Sequence, residues 1–188
     1  MDLLAQVLVN GVLLGGLYAV MALGLALVWG VLNIVNLAHG AFIMLGAYCS
    51  WHLFHYLGID PFLGLPITAA VMFALGYGLQ RGLLNLIVRA PMFNTLLLTF
   101  GLEVVLTYLA QLAFSADFRA INPGYAGHRT QWGPVVLPLV RLGAFGVALA
   151  LTLGMWLFLL HTRLGRAIRA TAQNLVAARL YGVEPRHL

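Results

Sequence analysis

The chain has 188 residues, 62% of them hydrophobic and only 8% charged, against the roughly one-quarter charged content of a soluble domain. Its net charge of +5 comes from ten arginines and no lysine, set against five acids. That balance excludes a soluble globular fold. It also argues against a nucleic-acid partner, because the arginines sit at the ends of apolar segments and not along one polar face, as a membrane-topology signal is distributed.

Between Asp2 and Asp60 there is no acid, lysine or arginine. One helical span needs about 20 apolar residues, so this stretch holds two, about Leu4 to Val31 and Ile34 to Leu57. The start, "MDLLAQVLVNGVLLGG", lacks the basic region of a secretory signal and its apolar run is too long for one, so it is expected to be retained as the first span. Gly58 to Pro61 reads as a tight turn into a third span, Phe62 to Leu79. An amphipathic connector carrying Arg81 and Arg89 leads to the fourth, Phe93 to Phe114. A polar Gly/Pro-bearing loop, "SADFRAINPGYAGHRTQWGP", precedes the fifth, Gly143 to Leu160. The predicted fold class is all-α, a single polytopic membrane domain over 1–188 with about five transmembrane helices.

Five crossings put Arg81, Arg89, Arg163, Arg166, Arg169, Arg179 and Arg186 on one side and Arg119, Arg129 and Arg141 on the other. The positive-inside rule makes the richer side cytoplasmic, with the C-terminus inside and the N-terminus outside. A re-entrant second segment would move the N-terminus to the other side. Small residues recur at spacing four (Gly11, Gly15, Ala19; Ala70, Ala74, Gly78, Gly82; Gly146, Ala150, Gly154) and suit close helix packing in lipid.

Two groups of polar residues fall within these spans. In "NIVNLAHG", Asn33, Asn36 and His39 lie at spacing three, which in a helix makes one slowly drifting stripe. Gly30 and Gly40 flank it and would let the helix unwind. Irregular backbone at depth is tolerated where it is buried in protein or lines a watery cavity. A broken helix beside a solute path and a plain turn with interhelical hydrogen bonds both fit. The second stripe is Thr95, Thr99, Glu103, Thr107 and Gln111, at spacing four in the fourth span. Glu103 is the one acid well inside a predicted span, which makes it a candidate for function. With no second carboxylate or intramembrane cation beside it, a neutral Glu103 bonded to Thr99 or Thr107 is the stronger reading than a proton relay.

No catalytic constellation emerges: there is no G-x-S-x-G, no H-E-x-x-H and no phosphate-cradling glycine loop. His52 and His55, three apart, are too few for a metal site and read as interfacial histidines. Cys49 is the only cysteine, so neither a disulfide nor a thiolate metal site is expected. No cofactor is expected, and any ATP-driven step would need another chain.

After the fifth span comes "RATAQNLVAARLYGV", Arg169 to Val183. At about 100° per residue, Ala170, Gln173, Asn174, Ala177, Ala178, Tyr181 and Gly182 share one side of a helix. Ile168, Leu175, Val176, Leu180 and Val183 share the other with Arg169 and Arg179. A small polar face suits close approach to another protein's groove more than it suits a lipid surface. Gly182 and Pro185 then stop the helix.

"TRLGRAIRATAQNLVAARLYGV" resembles the cytoplasmic loop of the branched-chain amino acid ABC-importer permeases. "GVLNIVNLAHGAFIMLGAY" is similar to the early-span signature of the same family, and "NTLLLTFGLEVVLTYLAQ" also fits, so the resemblance covers essentially the whole chain. Urea and short-amide permeases look much the same. The resemblance implies a permease subunit moving branched-chain or related amino acids across a bacterial inner membrane, with no bond chemistry of its own. It implies that 161–185 is a coupling segment seated in a cytoplasmic ATPase, with Arg169, Asn174, Ala177, Ala178, Arg179 and Gly182 in contact. It implies a second permease subunit, ATPase subunits and a periplasmic solute-binding protein that docks near Pro123 to Trp132. Asn33, Asn36, His39, Gly40, Thr99 and Glu103 would line the path that switches access. Members of the family continue with further spans, so this chain reads as an N-terminal portion; a truncated, non-transporting membrane module is the alternative. Around Glu103 the family pattern has small or hydroxyl residues, a departure that leaves its role open.

Overall fold

The computed structural model describes residues 2–32, 34–85, 92–115, 117–132 and 135–173. Its elements in order are α1 (Asp2–Leu32), α2 (His39–Leu57), α3 (Pro61–Leu79) running into a π-helical turn (Gln80–Leu84), α4 (Met92–Phe114), β1 (Arg129–Trp132), β2 (Val135–Pro138), α5 (Leu139–His161) and α6 (Arg163–Gln173). Among the described residues four helices are long and apolar enough to cross a membrane: Leu3–Val31, Pro61–Leu84, Met92–Phe114 and Leu139–His161. α2 has the 19 residues of α3 but carries His39, His52 and His55, which lower its hydropathy. It starts five residues later than the sequence predicts, because Ile34–Asn36 is irregular.

The chain divides into two compact units, one of residues 34–123 and one of residues 1–33 with 124–188. In the first, α2 ends at Gly58, whose φ of 65° is a left-handed conformation suited to glycine. Its N–H donates to Phe54 O at 3.1 Å and Ile59 N to Leu53 O at 3.1 Å, the paired bonds of a Schellman cap. Asp60 then caps α3, accepting from Phe62 N at 2.9 Å, with Pro61 in the first turn where its missing N–H costs nothing. Gly64 packs on Leu53 and Ile59 and Gly46 faces Met72, so α2 and α3 are antiparallel. α4 runs parallel to α2: Thr99 meets Val35 near one end, and Phe114 stacks on Tyr48 at 4.6 Å near the other. α2 with its lead-in thus runs beside α4 from Thr99 to Phe114, ~22 Å at 1.5 Å per residue.

In the second unit, the predicted polar loop contains an antiparallel hairpin, Arg129 pairing with Pro138 and Trp132 with Val135. Trp132, Val135 and Val136 are strand formers by type, and their short run is hidden in a Gly/Pro-rich context. Gln6 of α1 holds the outer edge of β2. Its Nε2 donates to Val136 O at 3.0 Å and its Oε1 accepts from Val136 N at 2.8 Å, so one side-chain amide replaces a third strand at an edge otherwise left open. Further along, Asn10 meets Arg141, and a Cβ on Gly16 would strike the Phe145 ring. Contacts advance together along both chains, so α1 and α5 are parallel.

Candidate functional site

The candidate path residues that can be placed, Asn36, His39, Gly40, Thr99 and Glu103, all belong to the 34–123 unit; Asn33 lies outside the described residues. Asn36 does not display its amide along a helical stripe. It sits in the irregular lead-in, its Oδ1 accepts from Ala38 N at 3.1 Å and its carbonyl accepts from His39 N at 3.2 Å. The side chain is therefore spent on starting α2, the local competition with helix typical of asparagine. Ile34, Ala38 and Ala41 around it are buried, and His39 is half-buried. Gly40 is exposed, and a Cβ there would meet nothing within 4 Å.

Thr99 decides how this lead-in is held. It is wholly buried, and its hydroxyl lies 3.1 Å from Leu96 O of its own helix and 3.1 Å from Val35 O of the lead-in. One proton thus faces two carbonyl acceptors, one local and one 64 residues away in sequence. Thr99 is the eighth residue of α4, ~10 Å along its axis, so the irregular segment meets α4 well inside its length. Below it, Thr95 is also buried and is satisfied within its own turn by Met92 O at 2.7 Å.

One turn beyond Thr99, Glu103 is half-buried and accepts from Thr107 Oγ1 at 3.5 Å, a long contact. Of the two hydroxyls the spacing offered it, Thr107 is the one it meets, since Thr99 turns to the carbonyls. Burial fades along the stripe, from Thr95 and Thr99 through half-buried Glu103 and Thr107 to exposed Gln111.

Past that point α2 and α4 close with rings. His52 lies 4.8 Å from Phe114 and 5.5 Å from Tyr56, and Trp51 stacks on His55 at 4.6 Å. Arg119 places its guanidinium 4.3 Å over Trp51 and donates to Phe114 O at the end of α4. His52 and His55 both make ring contacts; no group of three or more His, Cys, Asp or Glu able to hold a metal is found among the described residues. The Arg119–Trp51 pair was not legible beforehand, although an aromatic belt flanked by arginine is its signal.

At the other functional region, α6 turns off the end of α5 through Thr162. That hydroxyl donates to Phe158 O at 2.7 Å and accepts from Gly165 N at 2.9 Å, closing one helix and capping the next. Gly165 is buried there: a Cβ would strike Phe158 O and lie 2.6 Å from Leu159 Cα. Arg166 and Arg169 reach back to His161 O and Leu160 O at 3.1 and 3.4 Å. Arg169 shares the exposed side with Ala170 and Gln173 while Ile168 is half-buried, so it does not group with Ile168 as the helical projection had it; its long side chain bends back to the α5 carbonyls. Asn174, Ala177, Ala178, Arg179 and Gly182 lie outside the described residues. Thr162 and Gly165 were missed by the sequence reading, though a Thr three residues before a helical N–H is a cap signal.

The family model described as the permease component of the branched-chain amino acid transport system matches residues 7–188. The chain belongs to that family. This permease-family chain is 29% identical over 195 residues to the high-affinity branched-chain amino acid transport system permease protein BraD of Pseudomonas aeruginosa, covering 97% of this chain and 64% of BraD. It is 27% identical to the permease protein LivH of Escherichia coli K12, over 95% of this chain and 62% of LivH. It is also 27% identical to the LivM permease of the same organism, over 92% of this chain and 45% of LivM. The chain therefore spans less than two thirds of the length of these curated relatives. No solved structure matches it. Family and helices together make it a multi-pass membrane protein of a transport-permease family, not an enzyme in itself.

Proposed function

We propose that this chain forms the translocation domain, or part of it, of an ATP-driven importer for branched-chain or related amino acids in a bacterial inner membrane. The observation that carries the proposal is the family match over residues 7–188, with relatives named for high-affinity branched-chain amino acid transport. Similarity to both LivH and LivM supports assembly with a second, related permease subunit. ATPase subunits and a solute-binding protein complete the proposed complex, and the chain itself makes and breaks no covalent bond.

The helix directions support five crossings. α1 and α5 are parallel, so the chain must leave α1 on one side of the membrane and enter α5 from the other, which takes an odd number of crossings between them. The alternating α2, α3 and α4 supply three, and α2 matches α4 over most of a membrane thickness. Together with the positive-inside rule, these directions support a reading with the N-terminus outside and α6 in the cytoplasm.

Mechanically, ATPase closure pushes the Arg163–Val183 segment through Arg169, Asn174, Ala177, Ala178, Arg179 and Gly182. The α5–α6 corner, locked by Thr162 and Gly165, passes that push to α5 without slack. Access switches at the lead-in of α2, the segment of Asn36, His39 and Gly40, which Thr99 meets at Val35 O with Glu103 one turn further along α4, and where the shared Thr99 proton lets the lead-in be held or released. Irregular backbone at this depth is how many transporters line a solute path. The test is co-purification: Ala177→Glu or Gly182→Arg should abolish recovery of the ATPase while membrane insertion stays normal. ATPase recovery equal to the unmodified protein would overturn the coupling role. Loss of labelled leucine uptake in vesicles of the same variants would extend the result to transport.

A further inference from the structure

The geometry points to a second role for the α5–α6 corner: Arg163, Leu164 and Arg166 form a binding site for the headgroup of an anionic phospholipid. The inference rests on α5 being a membrane crossing and on nothing else in the proposed transport cycle. α5 is a 23-residue apolar helix, and Thr162 is the single residue between it and α6. The first turn of α6 therefore lies where hydrocarbon gives way to headgroups.

The helix is not free to roll at that level. Gly165 and Thr171 are buried, Ala167 and Ile168 are half-buried, and α6 rests on both α5 and α1. Arg163 and Arg166 are exposed on the remaining side, and Leu164, at the start of the helix, is exposed at 58%. The two arginines are three positions apart, a rise of ~4.5 Å and ~60° around the helix, with Leu164 ~100° from Arg163 on the side away from Arg166. An exposed apolar side chain on a different side of the helix from a pair of cations, at the hydrocarbon boundary, lets the leucine enter the acyl region while the guanidinium groups stay with the phosphates.

Arg166 is already oriented, since its Nη1 donates to His161 O at 3.1 Å. That bond uses one N–H of five and leaves the rest of the planar fork for phosphate oxygens, which guanidinium matches in a bidentate way. No acid occurs in the sequence between Asp117 and Glu184, so nothing of opposite sign neighbours the two arginines along the chain. Arg169, next in the row, turns toward Leu160 O and is assigned to the coupling surface.

The test uses the full chain in nanodiscs of equal phosphatidylglycerol and phosphatidylcholine, with retained lipid measured by native mass spectrometry after extraction. The unmodified chain should retain phosphatidylglycerol preferentially. Near an anionic surface each arginine contributes about fivefold, so Arg163→Gln should reduce the preference about fivefold and the double change with Arg166→Gln by up to about 25-fold. Arg163→Lys with Arg166→Lys should keep most of it, and Arg129→Gln with Arg141→Gln should keep all of it. An unchanged preference in the double glutamine variant overturns the proposal, as does displacement of the lipid by inorganic phosphate, which would mark a free-anion site. Arg163→Gln alone, which leaves the Arg166 bond to α5 intact, decides the matter if the double variant fails to fold. The readout needs neither ATPase nor solute, so failure of the transport proposal leaves it standing.

Discussion

Replacing Thr99 by valine tests the central joint of the candidate path. The two side chains have nearly the same shape, so packing around this wholly buried residue is kept and only the hydroxyl is lost. Its bond to Leu96 O is local and of little consequence, because that carbonyl stays within a helix. Its bond to Val35 O, at 3.1 Å, is the hydrogen bond that ties the lead-in of α2 to α4. Interhelical hydrogen bonds in membranes contribute ~0.6 kcal/mol on average and up to ~1.7, while a buried acceptor stripped of its donor costs ~1–3 kcal/mol. A cost of ~1–1.7 kcal/mol follows, which raises the open population of the lead-in about fivefold to about twentyfold. Hydrogen–deuterium exchange read on peptides covering residues 34–38 should accelerate by that factor in Thr99→Val and return to normal in Thr99→Ser. Unchanged exchange in the valine variant, or a serine variant that behaves like valine, would refute the idea that this hydroxyl holds the segment.

Gly165→Ala should open the α5–α6 corner, because the new Cβ meets backbone of Phe158 and Leu159 and not a flexible side chain. The expected cost is ~1–3 kcal/mol, read as faster tryptic cleavage after Arg163 and Arg166 and as reduced ATPase recovery. Gln6→Leu removes both bonds to Val136 at nearly constant volume and should free the outer edge of β2; exchange at the Val136 amide should rise about tenfold or more, for ~1.5 kcal/mol lost. Asp60→Ala removes the cap of α3 and should destabilise the α2–α3 turn by ~1 kcal/mol, measured as a lower melting temperature in detergent, whereas Asp60→Asn should be nearly neutral.

Much of this architecture is legible in the residues. The α2–α3 turn is spelled out by Gly58, Asp60 and Pro61, each in the position its backbone chemistry favours. The helical stripe in α4 is correctly spaced, and the Glu103–Thr107 contact follows from it. "NIVNLAHG" leaves a broken helix and a plain turn both open, and the irregular segment in which Asn36 bonds the backbone two residues on is compatible with either. The hairpin at 129–138 and its attachment to Gln6 were not legible either: they join side chain to backbone across 130 residues, and no local pattern encodes such a pairing.

Membership of the membrane class and the rough place of the apolar helices follow from sequence alone, although of the five spans predicted four are long and apolar enough to cross among the described residues and α2 is not one of them. Lipid offers no partner for a bare peptide group, so any chain of this composition must satisfy its backbone within helices. Tertiary structure decided the rest: that α1 and α5 run parallel, that the lead-in of α2 meets α4 partway along its length, and that Thr99 instead of Glu103 touches it. Those outcomes depend on which surfaces meet, and in a bilayer apolar surfaces gain nothing from leaving water. The choice among them falls to close packing and to a few buried hydrogen bonds, whose partners lie far apart in the chain.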